Sequence, residues 1–110
     1  VARLRQVVAS SDALLIATPE YGHSLPGSLK NAIDWLIGTG ELELKLVAIT
    51  SAVPALERGR LGLAALRNTL GAVSARIAFQ EPIARGPDFD RDVGELVNRL
   101  IAAANEPREA

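Results

Sequence analysis

The sequence predicts one α/β domain, a three-layer α/β/α sandwich whose central sheet is parallel. Two observations carry this prediction: short apolar runs have the character of buried strands, and each is followed by a longer stretch with helical spacing. Parallel strands joined through helices form right-handed crossovers, which place helices on both faces of the sheet. We expect residues 1–110 to form a single domain, because that length suits one hydrophobic core.

The first two elements are a helix and a strand. Apolar residues recur at helical spacing over residues 1–8, which predicts a helix across residues 1–10. The continuous apolar run at residues 13–17 predicts a strand that is buried on both faces. Because the helical pattern begins at the first residue with no N-cap before it, we expect the chain to be truncated at its amino terminus.

A second helix is predicted to begin near residue 27 and to end at Gly38, with Ser28 as its N-cap. Lys30 and Asp34 are four residues apart and are expected to pair on its surface. Trp35 is expected to fill a contact with the sheet or with another subunit. The inward face is predicted to hold Leu29, Ile33 and Leu36.

The second strand is predicted at residues 44–49, where a continuous apolar run follows a polar linker. A third helix is predicted over residues 60–70, with Gly71 just past its end. Its inward-facing residues are predicted to be Leu61, Ala64, Ala65 and Leu70.

The last third of the chain predicts a strand, a loop and a helix. Residues 74–79 alternate weakly and predict the third strand, while residues 81–90, rich in Pro, Gly and Asp, predict a long surface loop. A final helix is predicted over residues 90–104, followed by a polar tail at residues 105–110. One face of that helix carries Val93, Leu96, Val97, Leu100 and Ile101.

The composition argues against several functional classes. Twelve Lys and Arg against thirteen Asp and Glu leave a net charge of −1, so we expect no nucleic-acid partner and no anionic membrane partner. With no Cys and a single His, His23, we expect no disulfide, no thiolate nucleophile and no metal site. The apolar runs are too short to span a bilayer, and we expect a cytoplasmic protein.

The most informative segment is TPEYGHSLPGSLKNAIDW, residues 18–35, which directly follows the first predicted strand. Pro19 stops the strand, and Gly22 can adopt the positive φ that a sharp turn needs. Loops at the carboxyl ends of strands are where open α/β sheets bind ligands. We therefore expect backbone N–H groups of this turn to face the carbonyls and ring nitrogens of a planar ligand.

The pattern TPEYxxSxPGxLKNxIDW within residues 18–35 resembles the signature loop of the NADPH-dependent FMN reductases. This flavodoxin-like family includes flavin, quinone, azo-dye and chromate reductases. The resemblance implies a flavodoxin-like sheet of strand order 2-1-3-4-5, of which this chain holds the part from the helix before strand 3 onward.

The resemblance also implies FMN and NADPH as cofactors. Hydride would pass from NAD(P)H through the flavin to a small-molecule acceptor, such as a quinone, an azo compound, a metal ion or a free flavin. Because the cofactor carries this chemistry, no catalytic side chain is predicted. Members of the family are commonly dimers or tetramers, so the resemblance implies a homo-oligomer.

The residues that the resemblance assigns to the flavin lie mainly in the first loop. The resemblance implies that the main chain of this loop contacts the flavin at Thr18, Pro19, Glu20 and Tyr21. The predicted flavin-binding residues also include Gly22, His23, Ser24 and Ser51. Many relatives have Asn where this chain has Gly22, so a side-chain hydrogen bond is absent there. The family's phosphate loop, of the type GSxRxxSxN, is not found in these 110 residues, and only the isoalloxazine half of a flavin site is predicted.

Parts of the sequence are also compatible with three other functions. Ser24, His23 and Asp34 offer the residue types of a hydrolase triad, but sequence neighbours rarely form one and the GxSxG elbow is missing. A phosphoacceptor receiver domain would need an acidic cluster that this sequence lacks. A non-catalytic flavodoxin-like remnant or interaction module remains the alternative, and it would expose an unpaired edge at residues 13–17.

Overall fold

The computed structural model describes residues 1–107 and has parallel strands with helices on both faces. The final three residues of the predicted tail lie outside the described part. The predicted alternation of strands and helices is confirmed. The elements are α1 Ala2–Ser10, β1 Ala13–Ala17, α2 Gly27–Ile37, β2 Leu46–Thr50, β3 Ala52–Val53, α3 Arg60–Ala72, β4 Arg76–Gln80, β5 Ile83–Ala84 and α4 Phe89–Ala104.

The sheet has the order β1-β2-β4, with both pairings parallel, and the short strands β3 and β5 pair beyond it. The two ladders are continuous, because the N–H of Glu81 donates to the carbonyl of Ile49 at 3.2 Å and the N–H of Ile83 donates to that of Ser51 at 2.9 Å. Thus β2 lies in the centre and its pairing with the last strands extends past its own carboxyl end. The loop after β1 and the segment after β3 leave the sheet at this end.

The two faces of the sheet carry different numbers of helices. Val47 and Ile49 of β2 point toward α1, α2 and α3, and their core includes buried leucines of both α2 and α3. Leu46 and Ala48 point the other way, toward α4. Every residue of β2 is buried, which explains its unbroken apolar sequence.

The prediction that residues 13–17 are buried on both faces is wrong. Within residues 1–107, β1 pairs with β2 alone and forms an edge of the sheet. Leu14 and Ile16 pack against the three-helix side, but Leu15 is 39% exposed and Ala17 is exposed as well. On that second face α4 packs against Ala13 at the start of β1, and the side chains of Leu15 and Ala17 remain open to solvent.

Helix α2 begins near residue 27 as predicted, but Ser28 is not its N-cap. The helix starts at Gly27 after Pro26, and no side chain caps its first turn. The predicted inward face is confirmed, since Ile33 and Leu36 are buried and Leu29 packs against them. Trp35 is 50% exposed, so it does not fill a contact with the sheet.

The inward face of helix α3 differs in part from the predicted one, although Leu70 is buried as predicted. Leu61 is 49% exposed and Ala64 is exposed, and the helix continues through Gly71. The residues that face the core are Gly62, Leu63, Leu66 and Leu70. The helix starts after Gly59, whose φ of +78° sets the direction in which the chain enters the first turn and therefore the rotation of the helix.

The remaining differences arise where neighbouring strands pair. Residues 81–90 were predicted as a loop but contain β5, because Ile83 is buried beside β3 in a ladder of only two residues. Strand β2 begins at Leu46 rather than residue 44, since Leu44 has a φ of +60° and belongs to a turn. In α4, Leu96 and Leu100 are buried as predicted, whereas Ile101 is exposed.

Among the helices within residues 1–107, none combines the length and the apolar character that crossing a membrane requires.

Candidate functional site

The candidate site is built on the carboxyl ends of β1 and β2, which lie side by side. Thr18 follows β1, and its N–H donates to the carbonyl of Thr50 at 3.0 Å, while its hydroxyl donates to the carbonyl of Pro19 at 3.0 Å. Thr18, Thr50 and Ser51 are all buried. The Oγ1 atom of Thr50 finds no hydrogen-bond partner within residues 1–107. Buried hydroxyl groups therefore mark the carboxyl ends of both strands.

The loop after Pro19 folds into a tight two-residue hairpin. The N–H of Tyr21 donates to the carbonyl of Ser24 at 3.0 Å, and the N–H of Ser24 donates to the carbonyl of Tyr21 at 2.9 Å. Both central residues have positive φ, +55° at Gly22 and +61° at His23, as a type I′ turn requires. The prediction of positive φ at Gly22 is confirmed. The same requirement at His23 was missed, although His tolerates this conformation better than most residues.

Glu20 contacts the start of α3 rather than solvent. Its Oε1 accepts a hydrogen bond from the N–H of Gly62 at 2.6 Å. This bond joins the first loop to a helix that lies 42 residues further along the chain. The loop and α3 therefore form two connected walls of the site.

A cavity of about 470 Å³ lies between the first loop and the segment that joins β3 to α3. It brings together four of the predicted residues, namely Pro19, Glu20, His23 and Ser51. Thr18 lies buried beside it, and the remaining predicted residues Tyr21, Gly22 and Ser24 do not line it. Tyr21 is 62% exposed. The lining that the sequence reasoning missed consists of Ala52, Val53, Pro54, Glu57, Arg58, Gly59, Arg60 and Leu61.

Positive charge is concentrated at one side of the cavity. Arg58 and Arg60 are exposed and lie where α3 begins, so their charges add to the positive end of the helix dipole. Glu57 is the acidic residue of the same segment. This side of the cavity suits the phosphate or carbonyl oxygens of a ligand better than a cationic group.

Two other kinds of site find no support. Asp34 forms an exposed ion pair with Lys30 at 2.7 Å, as predicted, so it is not placed to orient His23 as in a hydrolase triad. Across the part of the chain that the structure describes, His, Asp and Glu do not gather in a group that could hold a metal ion.

The sequence signature and the fold agree with a known family. The model of the family described as NADPH-dependent FMN reductase matches residues 1–85 of this chain. The chain belongs to this family. The match includes both loops of the candidate site and the first turns of α3, and it ends just after β5.

Individual relatives share parts of the chain to different extents. The NAD(P)H-dependent FMN reductase PA1204 of Pseudomonas aeruginosa is 60% identical over 35 residues, which are 32% of this chain and 19% of that protein. The NADPH azoreductase of Bacillus sp. (strain OY1-2) is 28% identical over 102 residues, which are 92% of this chain and 57% of the relative. The chain thus spans little more than half the length of the azoreductase.

A solved structure confirms the flavodoxin-like α/β fold. FerB of Paracoccus denitrificans, described as a flavoenzyme NAD(P)H:(acceptor) oxidoreductase, has a TM-score of 0.69 and 28% identity to this chain. The superposition covers 94% of this chain and 65% of FerB.

Proposed function

We propose that this chain provides the flavin-ring site of an NAD(P)H-dependent FMN oxidoreductase that reduces a small acceptor such as a quinone, azo compound, metal ion or free flavin. The observation that carries this proposal is the cavity of about 470 Å³ between the hairpin loop and the start of α3. It lies at the carboxyl edge of a parallel sheet, where open α/β folds bind their ligands. The family match favours this function over a non-catalytic remnant.

The residues of the cavity fit a flat ring with an apolar body and polar edges. Pro19, Val53 and Leu61 supply apolar surface, while His23 and Ser51 supply polar groups. The cavity volume also falls within the range of about 300–1,000 Å³ that small-molecule sites occupy.

The protein's own contribution is to bind and orient. When bound, FMN would supply two-electron chemistry between NAD(P)H and the acceptor. The main chain from Thr18 to Tyr21 would hold the polar edge of the ring, in a loop whose shape is fixed by Gly22. Pro19 and Leu61 would exclude water from it. Arg58 and Arg60 carry positive charge at the rim, where anionic parts of a dinucleotide could approach.

The decisive experiment measures flavin binding and turnover separately. Protein produced from the complete reading frame that contains this chain is expected to quench flavin fluorescence when it is titrated with FMN, and to oxidise NADPH when a quinone is added. Gly22→Val forces a β-branched residue to a φ of +55°, so we expect it to weaken flavin binding about tenfold. Gly94→Ala, in α4 with open space around its Cβ position, is the matched control.

The proposed oxidoreductase and the non-catalytic alternative predict different results in this experiment. A protein that stays colourless in excess FMN, with unquenched flavin fluorescence, contradicts the proposed cofactor. Flavin binding without NADPH oxidation by the complete protein would instead favour the non-catalytic alternative.

We further propose that the protein acts in the cytoplasm as a homo-oligomer, a dimer or tetramer. The edge of β1 is unpaired within residues 1–107, and both Leu15 and Trp35 are substantially exposed. Exposed strand edges and large apolar side chains are common sites of association.

Sedimentation of the chain is therefore expected to show dimers or larger species at micromolar concentration. Trp35→Ala should raise the protein concentration needed for association, whereas Leu44→Ala, at a similarly exposed side chain in the turn before β2, should not. Ile16→Lys places a charge against the core of α1 to α3 and should disrupt folding itself. A folded, strictly monomeric chain throughout this concentration range would refute the proposed association.

A further inference from the structure

The first turn of α3 is capped from a distant part of the chain. The N–H of Gly62 belongs to the first helical turn, where backbone donors have no partner within the helix. Gly59, the N-cap residue, has no side chain that could accept from it. The carboxylate of Glu20 accepts instead, at 2.6 Å, and places its negative charge at the positive end of the helix dipole.

Gly62 allows this contact because it lacks a Cβ. A Cβ built at Gly62 would lie 3.0 Å from the Cβ of Glu20, 3.1 Å from its Cα and 3.1 Å from its Cγ. One of these atoms is backbone, so rotation of the Glu20 side chain alone would not relieve the crowding. Any larger residue at position 62 would push the first loop away from α3.

Gly59 has the same role toward the other wall of the cavity. A Cβ at Gly59 would lie 2.8 Å from Cγ1 of Val53 and 3.3 Å from Oγ of Ser51, and its φ of +78° disfavours any side chain. Val53 and Ser51 belong to the segment that leaves β2. The two glycines, three residues apart, therefore seat the start of α3 against both loops that line the cavity.

We propose that the segment Gly59-Arg60-Leu61-Gly62 sets the width of the flavin cavity, and that the side chain of Glu20 positions the first loop rather than contacting the flavin. This inference rests on the proposed function for the identity of its ligand. The carboxylate of Glu20 is engaged with α3, so what this residue offers to a ligand is its main chain, held between Pro19 and Tyr21. Within residues 1–107, the Glu20–Gly62 bond is the hydrogen bond by which a side chain of the first loop is joined to α3.

The test compares three variants of the contact with one control in the same helix. Glu20→Ala removes the acceptor, Glu20→Gln keeps an oxygen that can accept from Gly62, and Gly62→Ala inserts the crowding methyl group. Gly71→Ala is the control, because its Cβ position in α3 is open. Amide hydrogen exchange of residues 18–24 and of Gly62 is measured without ligand, the midpoint of thermal unfolding is measured in parallel, and FMN affinity is measured by fluorescence quenching.

Glu20→Ala and Gly62→Ala are expected to accelerate exchange in the loop and to weaken FMN binding, each by about tenfold. Glu20→Gln should stay within about threefold of the parent in both measurements, because a neutral acceptor still satisfies the donor. Gly71→Ala should leave both unchanged and raise the unfolding midpoint, since Ala favours the helix.

Two results would overturn the inference. If Glu20→Ala leaves loop exchange unchanged, the contact does not position the loop. If Glu20→Gln and Glu20→Ala weaken FMN binding equally while only the latter accelerates exchange, the carboxylate contacts the flavin directly. Should protein from the complete reading frame fail to bind FMN, the proposed function fails, and the exchange measurements still decide whether Glu20 and Gly62 hold the loop.

Discussion

Leu66→Ala is expected to lower the free energy of unfolding by about 2–5 kcal/mol. The Leu66 side chain is fully buried between α3 and the sheet, among the leucines and isoleucines that join α2, α3 and β2. Removing it leaves a cavity that the surrounding helices can fill only in part. Because a small domain is stable by only about 5–15 kcal/mol in total, this single change should remove a large fraction of the stability.

Urea unfolding followed by circular dichroism measures this loss. Leu61→Ala is the matched control, since it makes the same chemical change in the same helix at a side chain that is 49% exposed. We expect the control to lose less than about 1 kcal/mol. Equal losses in the two variants would mean that α3 is rotated relative to the sheet, with Leu61 facing inward as the sequence pattern alone predicts.

The second large effect concerns the flavin phosphate. The 110-residue chain is expected to bind FMN and riboflavin with affinities within about threefold of each other, and both weakly. The resemblance to the family implies that a GSxRxxSxN-type loop holds the phosphate, and this motif is not found in these residues. Each charge-assisted hydrogen bond is worth about 1.5–3 kcal/mol, so the loss of several lowers FMN affinity by orders of magnitude.

Isothermal calorimetry with both flavins tests this expectation without any change to the protein. Submicromolar binding of FMN, or a clear preference for FMN over riboflavin, would contradict it and would indicate that the described residues contain a phosphate site. Arg58 and Arg60 at the rim of the cavity would then be the donors to replace.

The order of elements could be predicted from sequence because local patterns dictate it. The helical faces of α2 and α4, and the glycine at the turn after β1, depend on spacing and backbone geometry within a few residues. Burial of β1 could not be predicted in the same way, since exposure of Leu15 depends on which elements lie beside and above that strand. Strand β5 was missed because two residues carry no periodicity.

One wall of the candidate site could be predicted from sequence and the other could not. The loop from Thr18 to Ser24 could be found from its own residues and its family signature. The opposite wall, from Ala52 to Leu61, could not, because it becomes part of the site only through contacts across 42 residues of sequence such as that between Glu20 and Gly62. Gly59 shows the same limit, because its close packing against Val53 depends on how β3 and α3 meet in the fold.

The hairpin at Gly22 and His23 has a consequence for how quickly a ligand can be captured. Ordering a flexible residue on binding costs about 1–2 kcal/mol of conformational entropy, and this loop is already closed by two backbone hydrogen bonds in the free chain. Its shape is therefore pre-organised, and association need not wait for the loop to rearrange. Selection among flat ligands would then occur by fit to a fixed template, with poorly matched ligands leaving faster rather than arriving more slowly.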